Sequence, residues 1–349
     1  MKRTGILLLL IAGVVLRVAA QGGVIISWSG GYAGAPAIQG ITVPLYSPQA
    51  PAVDNFGTLA NLSDADGSYK AVKSTYGYGF NFSLHGGYMF NRFLGIELAA
   101  SYMKSKSFSA TQVQSFYFPD SSGQLANTGD YVSNVITTQS QGVFLTPALI
   151  ASYSKPGMKV YPYLCAGVVL PVWVQLQQSM SMTLEGFSGN TQGLGGPPYF
   201  MGAQTDASYD TKTKFSAGIT GALGVAWQPY QFICVFAELN GQFLNLKPKS
   251  TTITSWIADE NDFLGLRSTY RSQFVYVKQL SSSSNNESVN ANYDVNKAKE
   301  VKTFNIPYSN IGFNIGVQLF LNTKIFKDKD AFEETRPRKK KPQKKEDAN

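Results

Sequence analysis

One histidine, His85, and two carboxylates set within strand-like segments, Glu97 and Glu238, are the residues of this chain best suited to acid–base chemistry. Together they can form a polar gate or proton-transfer group. They can equally form a hydrogen-bonded plug that satisfies buried charge, and in a narrow interior the plug is the favoured reading. A histidine-dependent lipid hydrolase needs its histidine at a lipid-exposed rim beside a nucleophile; the alternation around His85 turns it to the opposite face. No catalytic residue and no enzymatic activity are therefore expected. One His and two Glu on separate segments also lack the spacing of a metal centre, so neither metal nor cofactor is expected. Cys165 and Cys234 are the only cysteines. They fall on strands separated by one neighbour, about 9 Å apart at roughly 4.7–4.9 Å per step. That exceeds the usual disulfide Cα limit near 7 Å, so free thiols are expected.

The elements that position these groups announce themselves by a two-residue rhythm. From Tyr76 to Tyr88, the residues Tyr76, Tyr78, Phe80, Phe82, Leu84 and Tyr88 fall on one face, and Gly77, Gly79, Asn81, Ser83, His85 and Gly87 on the other. One face is apolar and the other small and polar. The rhythm restarts eight times, at about 24–34, 76–90, 94–108, 142–153, 159–177, 214–228, 232–246 and 303–321. Residues 214–228 set Phe215, Ala217, Ile219, Leu223, Val225 and Trp227 against Ser216, Gly218, Thr220, Ala222, Gly224 and Gln228. The last segment sets Ile311, Phe313, Ile315, Val317, Leu319 and Leu321 against Asn310, Gly312, Asn314, Gly316 and Gln318.

A soluble ligand-binding barrel also alternates, with its apolar set inside. Here the polar face is rich in Gly, Ser and Asn and poor in Lys and Glu, which suits a crowded lumen better than a solvated exterior. Aromatic residues gather towards the segment ends: Tyr88, Phe90, Trp227 and Tyr230 at one, Tyr76, Trp173 and Phe243 at the other. This is the arrangement of two interfacial girdles. By the same parity His85, Glu97 and Glu238 point into the lumen.

Connections alternate in length. Asn91-Arg92-Phe93, Lys155-Pro156-Gly157 and Pro229-Tyr230-Gln231 are tight, whereas 35–75, 109–141, 178–213 and 247–302 are long and rich in Ser, Thr, Asn, Gly and Asp. Outer-membrane barrels have short periplasmic turns and long outer loops, which places both termini in the periplasm. An even number of strands closes without an edge.

The ends carry the charge. Lys2 and Arg3, an apolar run from Gly5 to Leu16 and Val18-Ala19-Ala20 read as an export signal over 1–20, removed before Gln21. The apolar run is too short for the roughly twenty residues of a spanning helix. Residues 323–349 carry ten basic and six acidic side chains. Within them Arg336, Arg338, Lys339, Lys340, Lys341, Lys344 and Lys345, interrupted by Pro337 and Pro342, form a disordered basic periplasmic tail. That tail can grip anionic lipid, cell-wall polymer or an acidic envelope protein. Between the ends, 17 basic and 16 acidic residues leave 21–322 nearly neutral, which argues against a nucleic-acid partner.

With these features the chain resembles the small eight-stranded outer-membrane barrels of the OmpA and OmpX type, in the "porin family" group that includes PorT-like proteins of a secretion apparatus. The resemblance implies residence in the bacterial outer membrane and contact with its lipid. It also implies insertion by the barrel-assembly machinery, for which Asn314, Gly316, Leu319 and Leu321 match the terminal signal. The expected fold is all-β: an eight-stranded antiparallel transmembrane up-and-down β-barrel with long extracellular loops. Its expected function is structural, interactive or secretion-accessory, acting through loops or tail. The alternative is a narrow porin-like channel for small solutes.

Overall fold

The computed structural model describes residues 23–35, 41–46, 53–63, 67–119, 125–155, 158–185 and 204–321. The segments expected to be the export signal and the basic tail, and residues Pro156 and Gly157, lie outside the described residues. In chain order the strands are β1 (Gly23–Gly34), β2 (Thr42–Tyr46), β3 (Val53–Thr58), β4 (Ala60–Ser63), β5 (Ser68–Ala71), β6 (Gly79–Met89), β7 (Leu94–Ser105), β8 (Phe108–Pro119), β9 (Leu125–Ser152), β10 (Val160–Glu185) and β11 (Gln204–Thr213). There follow β12 (Gly218–Tyr230), β13 (Ile233–Phe243), β14 (Asn245–Leu246), β15 (Pro248–Ala258), β16 (Asn261–Asp262), β17 (Gln273–Val277), β18 (Lys299–Lys302), β19 (Ile306–Pro307) and β20 (Asn310–Phe320). Among the described residues no helix is long and apolar enough to cross a membrane.

Eight of these strands close on themselves. β1 pairs with β6, then β7, β9, β10, β12, β13 and β20 follow, and β20 returns to β1, every pair antiparallel. The exterior is the apolar parity read from the sequence: Phe80 is 72 % exposed, Leu223 61 % and Ile315 56 %, while Ser27, Ser29, Ser83 and Asn314 are buried inside. An outward apolar surface with a polar interior is stable in hydrocarbon and not in water. The ten steps from Leu94 to Lys104 along β7, at roughly 3.4 Å per residue and a tilt of about 40°, rise about 26 Å, the height of a lipid-facing band. Phe90, Phe93, Trp227, Tyr230 and Phe232 are exposed at the turn side, and Tyr32, Trp173, Phe215 and Phe243 at the loop side.

Two sequence expectations change. Tyr76 does not begin an outward-facing strand: β6 starts at Gly79, and Tyr76, 1 % exposed, turns inward onto the end of the barrel. Burying a whole phenol ring there outweighs continuing the alternation. Tyr88 shares the outward parity but is covered, its ring edge-on to Phe90.

The long connections also carry strands over much of their described length, while 278–298 stays irregular. β9 and β10 run far past the barrel as one hairpin, still paired from Gln175↔Gln141 to Glu185↔Tyr131. A register shift between Pro171 and Trp173 marks where they leave it. Beyond that bulge β8, with β4 and β5, adds to β9, and β11, β15, β17 and β18 add to β10. The result is an outer sheet whose inner face buries Phe108, Ile136, Leu176, Met180, Tyr209, Ile253, Trp256, Phe274 and Tyr276. The stretches 109–141, 178–213 and 247–302 read as loops because Thr138, Ser140, Thr205, Thr211 and Thr251, all buried, occupy inward positions and blunt the hydrophobic contrast.

Candidate functional site

Inside the barrel the polar side chains converge at mid-height from six strands. Glu97 on β7 lies 3.5 Å from Nδ1 of His85 on β6, and Nε2 of His85 lies 3.3 Å from Oγ of Ser29 on β1. Across the lumen, Tyr163 on β10 donates its hydroxyl to Glu238 on β13 at 2.8 Å, and Asn314 Nδ2 on β20 donates to the other carboxylate oxygen at 3.0 Å. Glu238 therefore has two donors, and Glu97 faces the His85 ring. Glycines make the space: a Cβ at Gly224 would enter the Tyr163 ring, and one at Gly316 would enter the Phe236 ring. The two rings meet edge to face at 6.2 Å.

This layer separates two cavities, of about 100 Å³ on the loop side and about 50 Å³ on the turn side. His85, Glu97, Cys165 and Glu238 line both. The larger cavity also receives Asn81 Oδ1, Gln242 Nε2 and Asn314 Oδ1, buried atoms without a protein partner. It has room for the few waters these atoms need.

Apolar clusters flank the polar layer on both sides. On the turn side Ile25, Met89, Ile150, Tyr161, Cys234, Phe236 and Phe320 pack together. On the loop side Tyr76, Tyr308, Phe144, Val169, Leu244, Leu246 and Ile306 form a stopper continuous with the core of the outer sheet. It is fastened by polar links: Tyr76 N and Thr75 Oγ1 both donate to Pro307 O at 3.0 Å, and Ser140 Oγ lies 2.9 Å from Tyr76 O. The Tyr76 hydroxyl meets Thr138 Oγ1 at 3.2 Å. Burial pushes the Tyr76 and Tyr308 phenols well above their ordinary range.

The order Ser29, His85, Glu97 has the connectivity of a charge relay. Ser29, however, is 1 % exposed, and its backbone is committed on both sides, opposite Gly316 and Ser83. No group of three or more His, Cys, Asp or Glu among the described residues is arranged to hold a metal ion. The layer sets two carboxylates and an imidazole beside cavities with room for water.

Cys165 and Cys234 are both free, Cys165 facing the cavities and Cys234 fully buried beside the Tyr161 hydroxyl, 3.8 Å away. Of the insertion-signal residues, Asn314 and Gly316 face inward, while Leu321 is 63 % exposed. Arg336, Arg338, Lys339, Lys340, Lys341, Lys344 and Lys345 lie outside the described residues. Sequence reasoning missed Tyr163, which shares the parity of Cys165, and the stopper residues Tyr76 and Tyr308. Tyr163 was within reach of the alternation; the stopper was not, because its residues come from irregular segments.

The closed strand order and the outward apolar band define the class: a transmembrane eight-stranded β-barrel. No protein-family model matches this chain, and no curated protein matches it. Among solved structures it is similar to the outer membrane protein OprG from Pseudomonas aeruginosa, at 12% identity and a TM-score of 0.37, over 86% of this chain and 97% of that one. It is likewise similar to a major outer membrane protein from Thermus thermophilus, at 10% identity and a TM-score of 0.35, over 86% and 98% of the two chains. Neisserial surface protein A gives 11% identity and a TM-score of 0.30, over 85% and 96%.

Proposed function

We propose that this protein is an integral bacterial outer-membrane protein whose barrel anchors a folded outer module at the cell surface, and that it acts as a structural or interaction component without enzymatic activity. The observation that carries this reading is the pair of apolar closures above and below the polar layer. A lumen stopped at both ends suits an anchor better than a pore. The extension of β9 and β10 into the outer sheet supports it further, since a module fused to the barrel wall is held rigidly for contact. An envelope or secretion-system protein is the class of partner such a surface fits, and the basic tail offers a second contact on the periplasmic side. The narrow-channel alternative draws on the polar layer alone and requires both closures to move.

The test is topological. An epitope inserted at Gly265, where a side chain meets nothing within 4 Å, is expected to be labelled by antibody on intact cells. Labelling only after permeabilisation overturns the orientation. Fractionation with the inner membrane or cytosol overturns the localisation.

A further inference from the structure

Where the outer sheet meets the bilayer, the chain places lysines in a cluster. Lys212 is the penultimate residue of β11, Lys247 precedes β15 and Lys249 lies within it; all three are exposed. The backbone holds them close together. Lys214 N donates to Lys247 O at 2.7 Å, and Thr213 pairs with Pro248 while Lys212 pairs with Ser250. That register shift leaves Lys249 as the extra residue of a β-bulge, a device that re-aims a side chain. Pro248 between the lysines is buried, while Lys247 and Lys249 on either side of it are exposed.

None of the three makes an ion pair among the described residues. Asp210, two positions before Lys212, is engaged by Gln175 Nε2 at 2.8 Å. Lys214 is used structurally, its Nζ donating to Tyr276 O at 2.8 Å. Immediately on the barrel side stand Phe215, 77 % exposed, and Phe243, 57 % exposed. Ammonium groups without counterions above an aromatic girdle match one chemistry, an anionic phosphate held at the surface of the hydrocarbon.

We propose that Lys212, Lys247 and Lys249 form a binding site for the phosphorylated head group of an outer-leaflet lipid. The aromatic pair receives the acyl chains and the lysines receive the phosphate. This rests on the transmembrane reading above.

The experiment uses the full chain, reconstituted in bilayers of phosphatidylcholine containing a minor fraction of lipid A. Lipid retained on gentle detergent extraction is measured by mass spectrometry. The variant K212Q/K247Q/K249Q is expected to lose retained lipid A by about fivefold for each lysine removed. K278Q/K297Q/K302Q, which removes equal charge elsewhere on the outer module, is expected to retain it. Equal loss in both variants, or loss in neither, overturns the site. Complete displacement of lipid A by an equal concentration of inorganic phosphate reassigns the site to a soluble anion and overturns the lipid. A heat-dependent gel-mobility shift, run on every sample, reports barrel closure. Its absence in the unsubstituted chain overturns the transmembrane reading instead of this one.

Discussion

A glycine opposite an aromatic ring decides how the barrel interior fills. Tyr163 lies over Gly224, its pairing partner, and Phe236 over Gly316, its own. Tyr163 is also fixed by its bond to Glu238, so the ring has little freedom to retreat. Gly224→Ala is therefore expected to cost about 1–3 kcal/mol of barrel stability, the usual penalty for overpacking. Gly241→Ala, where a Cβ meets nothing within 4 Å, is expected to be neutral. Urea unfolding in lipid, followed by gel mobility, distinguishes the two; equal effects would mean that the ring does not occupy that space. Removing only the hydroxyl, Tyr163→Phe, withdraws one of the donors to Glu238 and is expected to cost about 1–3 kcal/mol in the same assay. At this scale the alternation already placed His85, Glu97 and Glu238 on the inner face. It did not reveal that Glu238 is held by Tyr163 and Asn314, because cross-lumen partners depend on barrel register, which a strand-by-strand reading does not supply.

At the scale of elements, the eight membrane-spanning segments were legible because lipid on one side and a packed lumen on the other enforce a sharp contrast. The outer strands faced a weaker demand. With water on their far side, polar outward residues are expected, yet threonines and serines also occupy inward positions: Thr211 and Thr251 share a bond of 2.6 Å, and Thr251 meets the Tyr276 hydroxyl at 2.7 Å. A buried network of this kind reads as a polar loop in sequence. Phe274, fully buried in that core, tests whether the module is truly folded. Phe274→Ala is expected to lose about 3–5 kcal/mol and to open residues 247–302 to protease while the barrel keeps its heat-dependent shift; unchanged protease resistance would contradict an outer core. The module also has a defined pH response. Burial raises the phenols of Tyr76, Tyr209, Tyr276 and Tyr308. Their contribution to stability is fully present below the ordinary phenol range near 10 and is lost as pH climbs through the raised values. Alkaline absorbance titration is expected to show these four ionising only together with loss of the Trp256 environment. Ionisation of all tyrosines in the ordinary range would show the core to be open.

For the whole molecule, the decisive feature is continuity between wall, stopper and outer sheet. Tyr76 and Tyr308 sit in the same apolar cluster as Phe274 and Trp256, so the loop-side closure is part of a folded core. Opening it would require breaking that core, at a cost far above thermal energy. A second apolar cluster packs on the turn side, around the smaller cavity. On the proposed reading, a barrel filled in this way would hold its outer surface at a fixed height and orientation over the bilayer. The measurement that addresses this most directly is single-molecule conductance across a planar bilayer, on full-length protein whose closure has been verified by its heat-dependent shift. The account predicts no steady current at moderate voltage, with the barrel inserted and intact. Reproducible ohmic steps from the unsubstituted protein would contradict it and make the polar layer the lining of a channel.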